Sequence, residues 1–163
     1  AGADMVLLCT NTIHLISERI TDAVTIPFFH IASTTGEAVK KQRLKKVALL
    51  GTRFTMEKDF YTKILKEDYD LEIIIPSMEE RQLIHDIIYK ELVKGIFTKK
   101  SKAIYLEIIH NLKKQGAEGI IAGCTEIPLL ISQEDVSLPL FDTAKIHSAK
   151  AVNIALNQQK NND

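Results

Sequence analysis

The sequence predicts an α/β fold of two pseudo-symmetric lobes, with parallel sheets flanked by helices. Three observations predict it. Short apolar runs alternate with helical periodicities along the whole chain, the pattern of parallel strands covered by helices. A glycine-bounded run, Gly116-Ala117-Glu118-Gly119-Ile120-Ile121-Ala122-Gly123, ends on Cys124-Thr125-Glu126. The opening of the chain repeats this design without a gap: Gly2-Ala3-Asp4-Met5-Val6-Leu7-Leu8-Cys9-Thr10-Asn11-Thr12. Laying Gly2 on Gly116 puts Asp4 on Glu118, and Cys124 falls on Thr10, not on Cys9. A duplicated unit gives two facing lobes, the first of residues 1–43 plus 142–163 and the second of residues 44–141.

Asp4 to Leu8 reads as the first strand. Thr12 to Val24 reads as a helix, because Ile13, Ile16, Ile20 and Val24 recur at three- and four-residue spacing. Pro27 to Ile31 is a short second strand. Ser33 or Thr34 can cap the next helix, with Glu37 completing a capping box on Thr34. Lys40 to Lys46 is a basic, solvated helix end and loop. Val47 to Leu50 is a third strand, Thr55 to Tyr69 a helix, and Leu71 to Ile75 a strand stopped by Pro76. Ser77 and Glu80 cap a helix with Leu83, Ile87, Leu92 and Ile96 along its inner side, ended or interrupted at Gly95. Lys99 to Gln115 is a helix closed by Gly116. The central strand follows at Ala117 to Ala122, then a short helix from Glu126 to Ile131 and a strand from Leu138 to Phe141. The last helix runs from about Thr143 to Leu156, and the polar tail, Asn157 to Asp163, is expected to fray.

Lys plus Arg and Asp plus Glu each number 21 among 163 residues, so nothing in the charge points to nucleic acid or a membrane surface as partner. Hydrophobic residues make up 45%, enough for a core. No apolar run approaches the roughly 18 residues of a membrane span, and no signal-peptide pattern opens the chain. There is no initiator Met and the first strand starts almost at once, as expected for a piece of a longer protein. Two cysteines, 9 and 124, read as reduced thiols of a cytoplasmic protein.

In a duplicated fold the strand ends of both lobes face one cleft. It would hold Thr10, Asn11 and Thr12 from one side and Cys124, Thr125 and Glu126 from the other. Hydroxyls and an amide can hold the charged ends of a small zwitterion. A thiol lowered by a helix N-terminus is a workable base. Two proton carriers on opposite faces of one Cα are what a stereoinverting enzyme needs. By itself Cys124 would be a small buried hydrophobe, and the duplicated polar turn makes it a candidate functional thiol. Cys9 reads as core packing. Glu126 either caps the following helix or holds the thiol's proton. His14 reads as a hydrogen-bond partner orienting its helix, or as a zinc ligand with Cys9. No second ligand pair stands at metal spacing, so no metal is expected. His85, His110 and His147 read as surface residues. Thr52 and Thr55 either cap the helix after them or, for Thr52, meet substrate. Asp142 reads as a cap.

Cys9-Thr10-Asn11-Thr12-Ile13-His14 and Gly123-Cys124-Thr125-Glu126-Ile127-Pro128-Leu129-Leu130 resemble the paired signatures of the aspartate/glutamate racemase family. Gly51-Thr52-Arg53-Phe54-Thr55-Met56 resembles a further family turn, whose threonine contacts the substrate carboxylate. The resemblance covers nearly the whole chain. It implies an aspartate/glutamate racemase-like fold with the first lobe incomplete, since the family's N-terminal strand, helix and glycine-rich loop are not in this sequence. It implies a PLP-independent amino-acid racemase without cofactor, acting on glutamate or aspartate, commonly as a homodimer. The family motif Cys-Asn-Thr-x-His, laid on Asn11-Thr12-Ile13-His14, puts Thr10 in the first acid/base position. The internal repeat reaches the same register. The resemblance thus implies Thr10 and Cys124 as the catalytic pair, with Cys9 as rival for the first place, and Asn11, Thr12, Thr52 and Thr125 as substrate contacts. A threonine hydroxyl does not ionise usefully near neutral pH and a thiol can. Cys124 would then be the competent base and Thr10 would deliver or relay a proton. Arg53 is a candidate for a distal carboxylate. Two-lobed relatives also include hydantoin racemases, maleate cis-trans isomerases and arylmalonate decarboxylases. The alternatives are therefore an isomerase using Cys124 as nucleophile, or an inactive amino-acid-binding fragment.

Overall fold

Alternation of apolar side chains between two faces builds the centre of the molecule, in a computed structural model that describes residues 2–160. In β1 (Lys46–Gly51), Val47 and Leu49 enter one hydrophobic cluster, and Ala48 and Leu50 enter the other. In β3 (Gly119–Gly123), Ile121 joins the first cluster, and Ile120 and Ala122 join the second. All seven are wholly buried. Strands buried on both faces belong to a parallel sheet covered on both sides. Here β2 (Glu72–Ile74), β1, β3 and β4 (Leu140–Asp142) are all parallel, in the order β2-β1-β3-β4.

One face is covered by α2 (Ile31–Lys41) and α4 (Asp59–Glu67), which supply Ile31, Val39, Tyr61 and Leu65. The other is covered by α5 (Met78–Lys90), α6 (Lys99–Lys114) and α7 (Ile127–Leu130), which supply Ile84, Ile88, Tyr105, Leu112 and Ile127. Each such side chain contributes about 1.5–3 kcal/mol by leaving water. α1 (Ser17–Ala23) and α3 (Arg53–Glu57) are short, and α8 (Thr143–Lys160) follows β4 directly.

β1 and β3 are adjacent, while the chain leaves β1 toward one edge (β2) and leaves β3 toward the other (β4). Their carboxyl ends thus form the switch point at which open α/β sheets hold ligands. The register sets Gly51 beside Gly123 there. A Cβ at Gly51 would lie 2.8 Å from the Gly123 carbonyl oxygen, and one at Gly123 would lie 2.9 Å from that of Leu50. Two glycines let the strands close up just before Thr52 and Cys124.

Most elements fall where the sequence places them, and several differences have identifiable causes. The expected strands at 4–8 and 27–31 reduce to one parallel bridge, Val6 to Phe28, with the Val6 N–H donating to the Pro27 carbonyl at 2.9 Å. Two unsupported segments cannot extend a ladder, and Pro27 offers no donor. The expected helix from Thr12 is a 3-10 turn, Thr12–Ile16, before α1, and it leaves Ile13 and Ile16 exposed. Neither Ser33 nor Thr34 caps α2: the His30 ring accepts the Ala32 N–H at 3.1 Å, so the helix starts earlier. Thr52 accepts the Thr55 N–H, starting α3 at Arg53, and extended Lys58 divides α3 from α4. The Ser77–Glu80 capping box forms in both directions, but α5 buries Ile84, Ile87 and Ile88 and leaves Leu83 and Ile96 exposed. β4 begins later than expected because the Gln133 side chain engages the Leu138 carbonyl and the Leu140 N–H. Gly116, with φ +95°, closes α6 as expected. The tail expected to fray is helical to Lys160, and 161–163 lie outside the described residues.

Replacing Gly123 by Ala should lower the unfolding free energy by about 1–3 kcal/mol, since backbone of β1 must move to admit the methyl group. A shift of the urea midpoint to lower concentration, at unchanged slope, checks this.

Candidate active site

Three chain segments end at one place. Thr52 is the first residue past β1 and Cys124 the first past β3. The turn at Thr10, Asn11 and Thr12 comes in from the side to meet them. Together they line a cleft of about 250 Å³. The expected catalytic pair and substrate contacts, Thr10, Asn11, Thr12, Thr52, Cys124 and Thr125, lie on its wall. Cys9 does not, and it is exposed rather than packed in the core.

Hydroxyls gather on one wall. The Thr12, Thr52 and Thr55 side-chain oxygens stand in a triangle at 3.1, 3.3 and 3.2 Å. Thr52 also caps α3 by accepting the Thr55 N–H at 3.3 Å. Capping and cleft lining are therefore combined in one residue. Asn11 is 3% exposed; its Nδ2 donates to Thr143 Oγ1 at 3.0 Å, and its Oδ1 has no partner among the described residues.

Opposite, the Cys124 thiol donates to Glu126 Oε2 at 2.8 Å. Glu126 makes no side-chain cap on α7, which resolves the two readings of this residue in favour of the thiol. The thiol is not lowered by a helix N-terminus, as the sequence suggested. Burial, and then the hydrogen bond and charge of Glu126, push it up to about 12. α7 has only four residues and cannot offset these effects. Burial tends to raise the Glu126 carboxyl, but hydrogen bonds from Cys124 and Thr125 hold it below the usual range. The proton thus rests on sulfur and the charge on the carboxylate.

Behind the first turn His14 is wholly buried. Its Nδ1 bonds the Thr10 carbonyl at 2.7 Å and its Nε2 accepts the Ile31 N–H at 3.1 Å. A carbonyl only accepts, so the proton is on Nδ1 and the ring ties the Thr10 turn to the start of α2. His30 and His147 flank it at ring-centroid distances of 4.5 and 5.9 Å. His147 is buried against Thr34, not on the surface. His85 is half-buried and His110 exposed. Burial lowers all three clustered rings, His30 and His147 to about 4. Among the described residues no group of three or more His, Cys, Asp or Glu could hold a metal ion, and no helix is long and apolar enough to cross a membrane.

Two features escaped the sequence. Ile88 and Tyr89 of α5, with Val93, also line the cleft, and only the packing of α5 puts them there. Arg53 turns away, paired with Glu57 and Gln82 on a neighbouring cleft, and does not reach this one.

Comparison with known proteins finds related racemases. The family model described as Asp/Glu/Hydantoin racemase matches residues 1–151. A Yersinia pestis protein assigned to the Asp/Glu racemases has a crystal structure that superposes at a TM-score of 0.90, with 43% identity, over 95% of this chain and 67% of that one. The broad specificity amino-acid racemase RacX of Bacillus subtilis is 24% identical over 97% of this chain and 67% of its own length. The glutamate racemase of Aquifex pyrophilus is 26% identical over 95% of this chain, which spans 58% of that relative.

Removing the Glu126 charge by E126Q should shift the pH midpoint of Cys124 alkylation by iodoacetamide downward, while burial keeps it above that of a free thiol. The rate against pH, with Cys9 replaced by Ser, measures this. The clustered histidines are neutral in the fold and bind protons more readily when unfolded. The contribution of His30 and His147 is full above about 6.5 and is lost as pH falls through about 4, and His14 acts in the same direction. The melting temperature should accordingly begin to fall below about pH 6.5, with His30 and His147 ring resonances still neutral at about pH 5.5 by NMR.

Proposed function

The chain belongs to the Asp/Glu/Hydantoin racemase family, and on that basis we propose that it acts as a cofactor-independent racemase of acidic amino acids such as glutamate or aspartate. The observation that carries the reading is that Thr10 and Cys124 line one small cleft together with the hydroxyl-bearing Thr12, Thr52 and Thr125. The hydroxyls of Thr12 and Thr52, with Thr125, hold the substrate carboxylate, and Asn11 holds the ammonium group. Glu126 takes the thiol proton, and the resulting thiolate removes the proton from Cα. Thr10 gives its hydroxyl proton to the opposite face of Cα and takes a replacement from solvent, to which Glu126 returns the proton it took from the thiol. In the reverse direction Thr10 must accept a proton, for which an alcohol is a poor base.

A second reading, a racemase not restricted to acidic side chains, is favoured by the lining. Ile13, Ile88, Tyr89 and Val93 give part of the cleft wall an apolar and aromatic character. Rates with aspartate and glutamate against those with leucine and phenylalanine separate the two.

Racemisation has an equilibrium constant of one, so kcat/KM must be equal in the two directions. The chemical asymmetry shows instead in the washing of deuterium into Cα without inversion. One enantiomer should exchange faster than the other in D2O, and equal rates would overturn the division of roles. C124A should cut both exchange and inversion by about 10²–10⁴. T10V should lose inversion to a similar degree but keep the exchange of the one enantiomer whose Cα hydrogen faces Cys124. Exchange followed by NMR and inversion followed by polarimetry distinguish these outcomes.

A further inference from the structure

Resting on that reading, we propose that Thr143 is a positioning residue that fixes which end of the Asn11 amide is presented to the substrate, and so makes Asn11 the acceptor for its α-ammonium group. Thr143 is wholly buried at the start of α8 and is not part of the cleft wall. Its hydroxyl has one proton, which it donates to the Ala122 carbonyl of β3 at 2.9 Å. Toward Asn11 it can therefore only accept. The Asn11 group facing it at 3.0 Å must be the NH2 end, Nδ2. The carbonyl end, Oδ1, is left buried and, among the described residues, without a partner, on a residue that lines the cleft. A buried acceptor without a donor is costly, and an ammonium group brought into the cleft supplies the donor.

Turning the amide over would set Oδ1 against a hydroxyl whose proton is already committed. Relieving that clash would mean giving up the Ala122 carbonyl, which precedes Cys124 by two residues on the same strand. Thr143 thus ties the amide on one wall to the strand that carries the thiol on the other. It is free to do so because Asp142, not Thr143, caps α8, accepting the Lys145 N–H at 3.0 Å. An unpaired Oδ1 beside the cleft favours a cationic nitrogen over a carboxylate there. A zwitterion then lies with its carboxylate toward the hydroxyls of Thr12 and Thr52, in one orientation.

The test compares wild type, T143V and T143S in the intact protein. T143V keeps the shape and removes the hydroxyl; T143S keeps the hydroxyl. In T143V, KM for the amino acid should rise about tenfold with kcat changed less than about threefold, the loss expected of one hydrogen bond to a charged group. Inhibition by the 2-hydroxy acid of the same side chain, which lacks the ammonium group, should change less than about twofold. T143S should restore the preference for the amino acid. The Asn11 side-chain amide protons, followed by 15N NMR, should exchange with solvent slowly in wild type and T143S and faster in T143V. Equal weakening of amino acid and hydroxy acid, or an Asn11 amide equally protected in all three, would overturn the proposal. Loss of amide protection in T143V alone, with no Cα exchange by wild type, would leave the orientation standing and sink the racemase reading instead.

Discussion

The close approach of β1 and β3 at their carboxyl ends is the constraint on which the site depends. Parallel pairing in register from Val47–Gly119 to Gly51–Gly123 makes both strands stop at the same height. The residues that follow, Thr52 and Cys124, must then emerge side by side. Glycine at both final positions removes the Cβ atoms that would hold the backbones apart. The two apolar clusters on either face keep this pair of strands rigid, and a site on rigid elements holds its geometry without loop ordering.

Around that fixed point the polar groups are arranged so that each has a defined direction. His14 accepts from Ile31 and donates to Thr10, which holds the first turn against α2. Thr143 donates to Ala122 and accepts from Asn11, which holds the same turn against β3. The turn is otherwise poorly anchored: its expected strand is a single bridge, and the 3-10 helix after it exposes Ile13 and Ile16. Buried hydrogen bonds thus do the anchoring that sheet pairing does in the rest of the fold. In a low-dielectric setting, such bonds are strong when complete and costly when one partner is lost.

The Cys124–Glu126 pair sets the electrical state of the cleft. Cys124 is nearly buried and hydrogen-bonds a carboxylate, so its proton is retained. A thiol of this kind is protected from adventitious alkylation and oxidation. Its activation has to come from a change in the same environment that suppresses it. A cationic group entering beside the carboxylate would lower the cost of forming thiolate.

Much of this was legible in the chain. The paired runs ending at Thr10 and Cys124 located both walls of the cleft, although only the second run is a strand of the sheet and the first reaches the cleft as a turn. The Ser77–Glu80 box and Gly116 marked helix ends through local hydrogen bonding and backbone geometry, which depend on near neighbours alone. What the tertiary structure decided was everything requiring distant partners. Burial, not helix position, raised the Cys124 thiol, since desolvation depends on Ile127, Tyr105 and the rest of a cluster spread over the chain. The exposure of Cys9, the burial of His147 and the turning away of Arg53 followed from packing with no signature in the residues beside them. Thr143 meets Asn11 across 132 positions, and a single-proton argument about its hydroxyl could be made only once both of its neighbours were in place.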